Sequence, residues 1–234
     1  MLVTGTLSER LERVRSDIND EATKSGRDSS EITLIVVTKF HPASMVRDLY
    51  DLGVRNVGEN RHQDAEGKAL ELAGLSDLTW HFIGQLQSNK ARVVRRYADV
   101  VHSVDRASLV HALAGGDPQL RKHARLDCFV QMNLTADGGR GGASDESDML
   151  SLADRIASED SLRLLGIMAV APLDEEPAHA FARVQRASSR LQLGHPDAVS
   201  ISMGMSNDFR AAIAHGATHL RIGTAITGSR PVPG

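Results

Sequence analysis

The 234-residue sequence predicts an α/β fold, a single-domain (β/α)8 barrel of the TIM type with one additional helix at its N-terminus. Apolar, β-branched runs alternate with amphipathic helical patterns along the chain, and strict alternation of this kind produces parallel sheets. The alternation repeats eight times, which is the number of units that closes a barrel. No linker or change in composition divides residues 1–234, so we assign them to one domain. An open doubly wound sheet is the structural alternative.

The N-terminal segment has the pattern of an amphipathic helix. Its apolar residues recur at every third or fourth position and therefore line one helix face: Leu7, Leu11, Val14, Ile18 and Ala22. Thr6 and Glu9 have the spacing of a capping box, in which each residue satisfies the backbone N–H of the other. We therefore predict that this helix begins just after Thr6.

Eight segments are predicted to be strands. The first, residues 32–37, is a continuous apolar run that is typical of a strand buried on both faces. The others are residues 54–60, 79–84, 99–105, 126–134, 162–170, 198–204 and 218–224. Helical patterns fill the intervals, and the first of them has Pro42 in its first turn and Gly53 beyond its end. Residues 135–147 are rich in Gly and Asp and are predicted to form a mobile loop.

Composition and charge exclude several classes of function. The formal net charge is −3 and aromatic residues make up 3% of the chain, so neither charge attraction nor base stacking favours a nucleic-acid partner. Cys128, the single cysteine, cannot form an internal disulfide and favours a reducing compartment. No apolar run has the length of a signal peptide or a membrane span. We therefore expect a cytoplasmic protein with no nucleic-acid and no membrane partner.

Lys39 is the first candidate for chemistry. Active sites of α/β barrels lie at the carboxyl ends of the strands, and Lys39 directly follows the first strand. Partial desolvation there favours the neutral amine, which is the form that reacts with a carbonyl group to give an imine. Lys24, Lys68 and Lys122 are predicted to be solvated, and Lys90 is predicted to stand at a helix start above another strand. The alternative is that Lys39 only marks the exit of the strand into water.

Two segments near the end of the chain predict an anion site. Residues 202–208 follow the seventh strand and are predicted to open a helix, with Ser206 as N-cap, Asp208 in the first turn and Gly216 beyond the end. Residues 221–228 follow the eighth strand, and their glycines let the backbone approach a ligand closely. Barrels commonly bind phosphate at these two loops, where backbone N–H groups attract anions. Ordinary helix capping and turn chemistry is the alternative for either segment alone.

The first and eighth strands are neighbours in a closed barrel, so the amine and the phosphate site should lie side by side. Together they predict a pocket for a phosphorylated carbonyl compound. Pyridoxal 5′-phosphate (PLP) fits this description, and so does a sugar phosphate.

Seven segments resemble, in order, the motifs of the PLP homeostasis protein family (YggS/PROSC family). They are VTKF, VGENRHQD, WHFIGQLQSNK, SVD, GIMAV, SMGMSND and RIGTAITG. The resemblance extends over nearly the whole chain. It implies a barrel of the alanine racemase N-terminal type that binds PLP as an imine on Lys39 and regulates the intracellular PLP supply, without established catalysis. PLP-dependent apoenzymes are the implied recipients.

The resemblance also implies roles for five further residues. It suggests Asn60 beside the cofactor ring, Arg221 near the pyridine nitrogen, and Ser206, Gly223 and Thr224 at the phosphate. No residue is implied to be catalytic.

The chain departs from the family pattern at two positions. His41 and Arg140 stand at or near positions where many relatives carry lysine. If those lysines help to transfer PLP to other enzymes, we expect transfer by this chain to be slower or differently routed.

Two enzyme functions compete with the carrier interpretation. A PLP-dependent amino-acid racemase needs a second base on the opposite face of its substrate, and the two tyrosines, Tyr50 and Tyr97, lie in predicted helices that should face away from the barrel mouth. A Schiff-base aldolase acting on sugar phosphates would be colourless when purified. Because every implied cofactor contact lies within one barrel, we expect a monomer.

The sequence leaves two side chains open and argues against a metal site. His81 either stacks on the cofactor ring or is a hydrogen-bonded core residue, and Glu59 faces either the pocket or solvent. His215 and His219 have the spacing of a metal pair, but Gly216 should end the helix between them, so we expect no metal.

Overall fold

The computed structural model describes residues 4–135 and 141–229. Eight strands form the barrel: β1 Thr33–Val37, β2 Asn56–Glu59, β3 Thr79–Phe82, β4 Val100–Val104, β5 Leu126–Met132, β6 Leu162–Ala169, β7 Ser200–Ser202 and β8 His219–Ile222. All neighbouring strands are parallel, and their order around the barrel is their order in the chain. The barrel closes between β1 and β8, where Val36 lies opposite Ile222. Closure confirms the predicted barrel and excludes the open sheet.

Helices cover the outside of the barrel. They are α1 Leu7–Lys24, α2 Ala43–Asp51, α3 His62–Glu71, α4 Ala91–Val94, α5 Ala107–Ala114, α6 Glu146–Ala157, α7 Pro177–Gln192, α8 Phe209–Ala214 and α9 Thr224–Thr227. Three short 3-10 turns lie at Ser29–Glu31, Ser88–Lys90 and Pro118–Leu120. The helical pattern of residues 88–98, in the interval between β3 and β4, is therefore divided into a 3-10 turn and the single turn of α4.

The additional helix α1 has the predicted form. The Thr6 hydroxyl accepts from the backbone N–H of Glu9 at 3.3 Å, and the Glu9 carboxylate accepts from the backbone N–H of Thr6 at 2.7 Å. Its apolar face is buried, and Arg10 donates to the carbonyl of Ile226 at 2.6 Å. Helix α1 therefore contacts α9 and holds it against the N-terminal part of the barrel.

The predicted start of the helix after β7 is wrong. Helix α8 begins at Phe209, with Asp208 at the N-cap, two residues later than the predicted N-cap Ser206. The Asp208 carboxylate accepts from the backbone N–H of Met205 at 2.5 Å, which stabilises a turn before the helix. Ser206 lies in that turn, so its hydroxyl does not cap α8. Gly216 follows the helix with φ 86°, as predicted.

Strand side chains alternate between two compartments. Outward-facing residues such as Val36, Val57 and Ile167 are completely buried under the helices in the main apolar core. A smaller apolar cluster inside the barrel contains Val100, Phe129 and Met168. Polar side chains fill much of the remaining interior, and they form part of the candidate site.

Candidate functional site

Lys39 lies on a tight turn at the carboxyl end of β1, with an exposed side chain. The N–H of His41 donates to the carbonyl of Thr38 at 3.1 Å and closes the turn. Phe40 at its third position has φ 70°, and no other described non-glycine residue has a positive φ. A positive φ at the third position of a turn normally requires glycine, so Phe40 stores roughly 1–3 kcal/mol of strain. Surrounding contacts must hold the turn in place.

A buried ion pair lies behind the turn. Lys68 Nζ is 2.6 Å from Glu59 Oε1, and the two side chains are 9% and 1% exposed. Lys68 also donates to the carbonyl of Thr38 at 3.0 Å, and the Thr38 hydroxyl donates to Glu59 Oε1 at 2.6 Å. Burial raises the pKa of the Glu59 carboxyl, and the Lys68 ammonium opposes that rise. The prediction that Lys68 is solvated is wrong, and Glu59 faces neither the pocket nor solvent but α3.

Asn60 follows β2, beside the Lys39 strand. Its Oδ1 is buried and has no hydrogen-bond partner among the described residues. A Cβ on Gly84 would lie 2.2 Å from the Asn60 carbonyl oxygen, so only glycine at position 84 lets the loop after β3 approach this closely. Asn60 thus carries a buried, unpaired amide oxygen at the carboxyl end of β2, the strand that pairs with β1.

Ser206, Gly223 and Thr224 meet where the loops after β7 and β8 join. The Ser206 hydroxyl accepts from Thr224 Oγ1 at 3.3 Å and from the backbone N–H of Ala225 at 3.4 Å. A Cβ on Gly223 would lie 3.3 Å from the Cβ of Val37, so the backbone of the β8 loop packs directly on the end of β1. The structure therefore brings these three residues together close to the strand that carries Lys39.

Arg221 is buried inside the barrel, 4% exposed, on β8. Its Nη1 donates to the Ser202 hydroxyl at 2.5 Å and its Nη2 to the carbonyl of Ala169 at 2.9 Å. Burial lowers the pKa of the guanidinium to about 10, with Asp208 opposing the decrease. The group therefore remains protonated at neutral pH and acts only as a hydrogen-bond donor.

A chain of hydrogen bonds continues from Arg221 through the barrel interior. Ser202 Oγ lies 2.8 Å from His102 Nδ1, and His102 Nε2 lies 2.9 Å from His81 Nδ1. His81 Nε2 lies 2.9 Å from Asn56 Oδ1 at the start of β2. His81 is thus a hydrogen-bonded core residue, which decides one question that the sequence left open.

All the hydrogen bonds from Arg221 to Asn56 donate in the same direction, because Arg221 can only donate. Ser202 accepts from Arg221, and the described residues offer its hydroxyl proton one acceptor, His102 Nδ1. His102 must then carry its proton on Nε2, and His81 likewise, so both rings are neutral. Burial lowers the pKa of His81 to about 3 and that of His102 well below its ordinary value. The hydrogen-bond geometry and the lowered pKa values therefore agree on neutral rings.

The sequence analysis did not predict this chain of hydrogen bonds, although the polar residues that form it can be recognised in the sequence. Its members occupy inward positions of β2, β3, β4, β7 and β8: Asn56, His81, His102, Ser202 and Arg221. Polar residues at inward positions of apolar strands have to satisfy one another. Only the barrel register shows which of them are in contact.

The two tyrosines lie away from the barrel mouth, whereas His41 lies in the turn that carries Lys39. Tyr50 donates to Asp77, which precedes β3, and Tyr97 precedes β4, so both tyrosines lie toward the amino ends of the strands. His41 is buried, and burial together with Lys68 lowers its pKa. Arg140 lies outside the described residues, together with the rest of residues 136–140 in the predicted loop.

Two further features concern metals and membranes. The described ranges contain no group of three or more His, Cys, Asp and Glu residues suited to a metal ion. Across residues 4–135 and 141–229, no helix has both the length and the apolar character needed to cross a bilayer.

The chain was compared with known proteins. The family model of the alanine racemase N-terminal domain matches residues 11–231. The chain is 39% identical to the pyridoxal phosphate homeostasis protein of Mycobacterium tuberculosis, with 96% of this chain and 93% of the relative covered. It is 40% identical to the protein of that name from Pseudomonas aeruginosa, with 96% of each covered. The solved structure of PipY from Synechococcus elongatus with PLP bound has a TM-score of 0.80 and 34% identity, covering 95% of this chain and 100% of that one.

Proposed function

Because the chain belongs to the alanine racemase N-terminal domain family, together with relatives named pyridoxal phosphate homeostasis proteins, we propose that it is a PLP-binding homeostasis protein. It holds PLP as an imine on Lys39 and so regulates the intracellular PLP supply. One observation carries the assignment of the site. The turn that bears Lys39 follows β1 directly, and the loop bearing Gly223 packs against the end of that same strand.

The residues present fit the chemical groups of PLP. The Ser206 hydroxyl and the backbone around Gly223 and Thr224 form a polar junction for the phosphate. Arg221 offers a buried donor for the pyridine nitrogen, and Asn60 Oδ1 offers a buried acceptor beside the ring. PLP supplies an aldehyde: the Lys39 nitrogen adds to its carbon, and the carbonyl oxygen leaves with the two amine hydrogens as water.

Two features favour a protein that stores PLP over one that catalyses a PLP-dependent reaction. A donor that keeps its proton leaves the pyridine nitrogen unprotonated, and an unprotonated ring is a weaker electron sink for a carbanion. Tyr50 and Tyr97 lie toward the opposite end of the barrel, so neither supplies the second base of a racemase from within this chain. We therefore propose a carrier and regulator without a reaction of its own.

The setting of this function is also part of the proposal. We propose that the protein acts in the cytoplasm as a monomer and passes PLP to PLP-dependent apoenzymes. Cys128 is a free thiol whose pKa is raised by burial, which fits a reducing compartment. The implied cofactor contacts all come from one chain.

The test is an absorption spectrum of purified protein loaded with PLP, before and after borohydride. We expect a visible imine band that borohydride removes, with the cofactor then fixed to Lys39 by mass spectrometry. Lys39→Ala should lose the band, whereas Lys90→Ala, a lysine on the 3-10 turn after β3, should keep it. A full-occupancy adduct in Lys39→Ala would contradict the assignment.

A second assay separates the carrier from a racemase. PLP-loaded protein is incubated with alanine and serine, and racemisation and transamination are measured. We expect turnover far below that of an ordinary enzyme. Turnover on the order of 1 per second or more would restore the racemase interpretation.

A further inference from the structure

The buried pair Glu59–Lys68 is in contact with the residue immediately before Lys39. Thr38 is held at two atoms: its carbonyl oxygen accepts from Lys68 Nζ at 3.0 Å, and its hydroxyl donates to Glu59 Oε1 at 2.6 Å. Thr38 is itself completely buried. The position and orientation of this one residue are therefore fixed from two sides by charged groups.

The same carbonyl oxygen closes the turn that carries Lys39. It accepts from the N–H of His41 at 3.1 Å as well as from Lys68, so both of its lone pairs have donors. The turn contains Phe40 at φ 70°, a conformation that a phenylalanine does not maintain without support. The contacts to Thr38 supply such support at the first residue of the turn.

The Glu59–Lys68 pair lies outside the barrel, where it can position the turn that carries Lys39 without contacting a ligand in the mouth. Gly58 faces the barrel interior, where a Cβ would contact Ile35, Ile83 and Val37. Glu59, one residue later, therefore faces outward, and Lys68 reaches it from α3. Buried ion pairs add little net stability compared with apolar residues of the same shape, so stability alone does not account for a pair here.

We propose that Glu59 and Lys68 are positioning residues for Lys39. Through Thr38 they hold the strained turn against α3 and so fix the direction in which the Lys39 amine enters the barrel mouth. This inference rests on the proposed function, because it assumes that Lys39 reacts with an aldehyde. Its consequence is that the pair controls the rate of imine formation while leaving non-covalent binding of the same ring and phosphate unchanged.

The decisive variant is Thr38→Val, which keeps the shape of Thr38 and leaves the Glu59–Lys68 pair intact. It removes the hydroxyl contact to Glu59. The rate of imine formation is followed by absorbance after PLP is mixed with the protein. Affinity without an imine is measured by calorimetry with pyridoxine 5′-phosphate, which carries an alcohol in place of the aldehyde.

We expect Thr38→Val to slow imine formation about fivefold, the effect of one lost hydrogen bond, and Thr38→Ser to restore the rate. Lys68→Met should slow it by about 10- to 100-fold, because small misplacements of a reacting group have effects of that size. The combination of Glu59→Gln with Lys68→Met tests the same point without a buried unpaired charge. Affinity for pyridoxine 5′-phosphate should stay within about twofold in all of them, since the phosphate and ring contacts are untouched.

Lys122→Met is the matched control. It removes a lysine from an ion pair of similar length, 2.7 Å to Asp99, before β4 at the opposite end of the barrel. Lys122→Met should change neither the rate of imine formation nor the affinity for pyridoxine 5′-phosphate. Imine formation at the unmodified rate in Thr38→Val and in the double variant would overturn the inference. Equal losses of rate and of pyridoxine 5′-phosphate affinity would overturn it too, because they indicate a general structural role. Absence of an imine in the unmodified protein would instead refute the proposed function, and the inference with it.

Discussion

Histidines in the barrel interior, of which His81 and His102 are buried and His219 is half-buried, make the stability of the barrel depend on pH. Burial lowers the pKa of His81 to about 3, that of His219 to about 4, and that of His102 well below its ordinary value. In the unfolded chain each ring titrates near 6.5. Below that pH the unfolded state binds more protons than the folded state. The stabilisation is therefore complete above about pH 6.5 and is lost as the pH falls toward the folded-state values.

The size of the effect follows from these differences. At pH 5 His81 and His219 have each lost about 2 kcal/mol of their contribution relative to neutral pH, about 4 kcal/mol together, and the lowered pKa values of His102 and His41 add to this loss. That is comparable to the whole stability of an ordinary domain, about 5–15 kcal/mol. We therefore expect the fold to become marginal near pH 5. Below pH 6 the free energy of unfolding should fall by about 3 kcal/mol per pH unit from the two protons of His81 and His219, and His102 should make the slope steeper.

The assay is urea denaturation at pH 7.5, 6.5, 5.5 and 5. His219→Asn should reduce the slope by about one proton, because it removes one half-buried titrating ring. His111→Gln is the control, since His111 is exposed on α5 and should not alter the slope. A free energy of unfolding that stays constant from pH 7.5 to 5.5, or an equal slope in His219→Asn, would refute the reasoning.

Two further substitutions test the interior and the mouth. Ser202→Ala removes the hydroxyl between Arg221 and His102, so the free energy of unfolding should fall by about 1–3 kcal/mol; Ser200→Ala, on the same strand, should cost less, and equal losses would contradict the hydrogen-bond chain. Gly84→Ala places a Cβ 2.2 Å from the Asn60 carbonyl oxygen, so denaturation should show a loss of about 1–3 kcal/mol, with weaker PLP binding. Gly74→Ala has no atom within 4 Å of the new Cβ and is its control; matching results for the two would argue against a close approach at Asn60.

The strands and the barrel were predictable because their apolar runs are continuous and regularly spaced. The start of α8 was not, because two residues suit an N-cap: Ser206 fits the sequence rule, but the bond from the Met205 N–H to Asp208 delays the helix. The local sequence does not show which of two possible helix starts has the lower free energy.

The candidate site was predictable in part. Lys39, Ser206, Gly223 and Thr224 follow strands, and chain order alone makes those strand ends neighbours. Lys68 was missed because lysine in an exposed-looking helix is normally solvated, and its burial depends on a carboxylate nine residues earlier whose outward direction only the barrel register determines.

The directional hydrogen-bond chain from Arg221 to Asn56 has a consequence for proton movement. A proton entering at Asn56 would have to pass through two imidazoles whose charged forms are strongly disfavoured, toward a guanidinium that does not release its own proton. The hydrogen-bond chain therefore gives protons no route from solvent at the opposite end of the barrel to the mouth. We therefore expect a ligand bound near Lys39 to exchange protons with water by a route other than this hydrogen-bond chain.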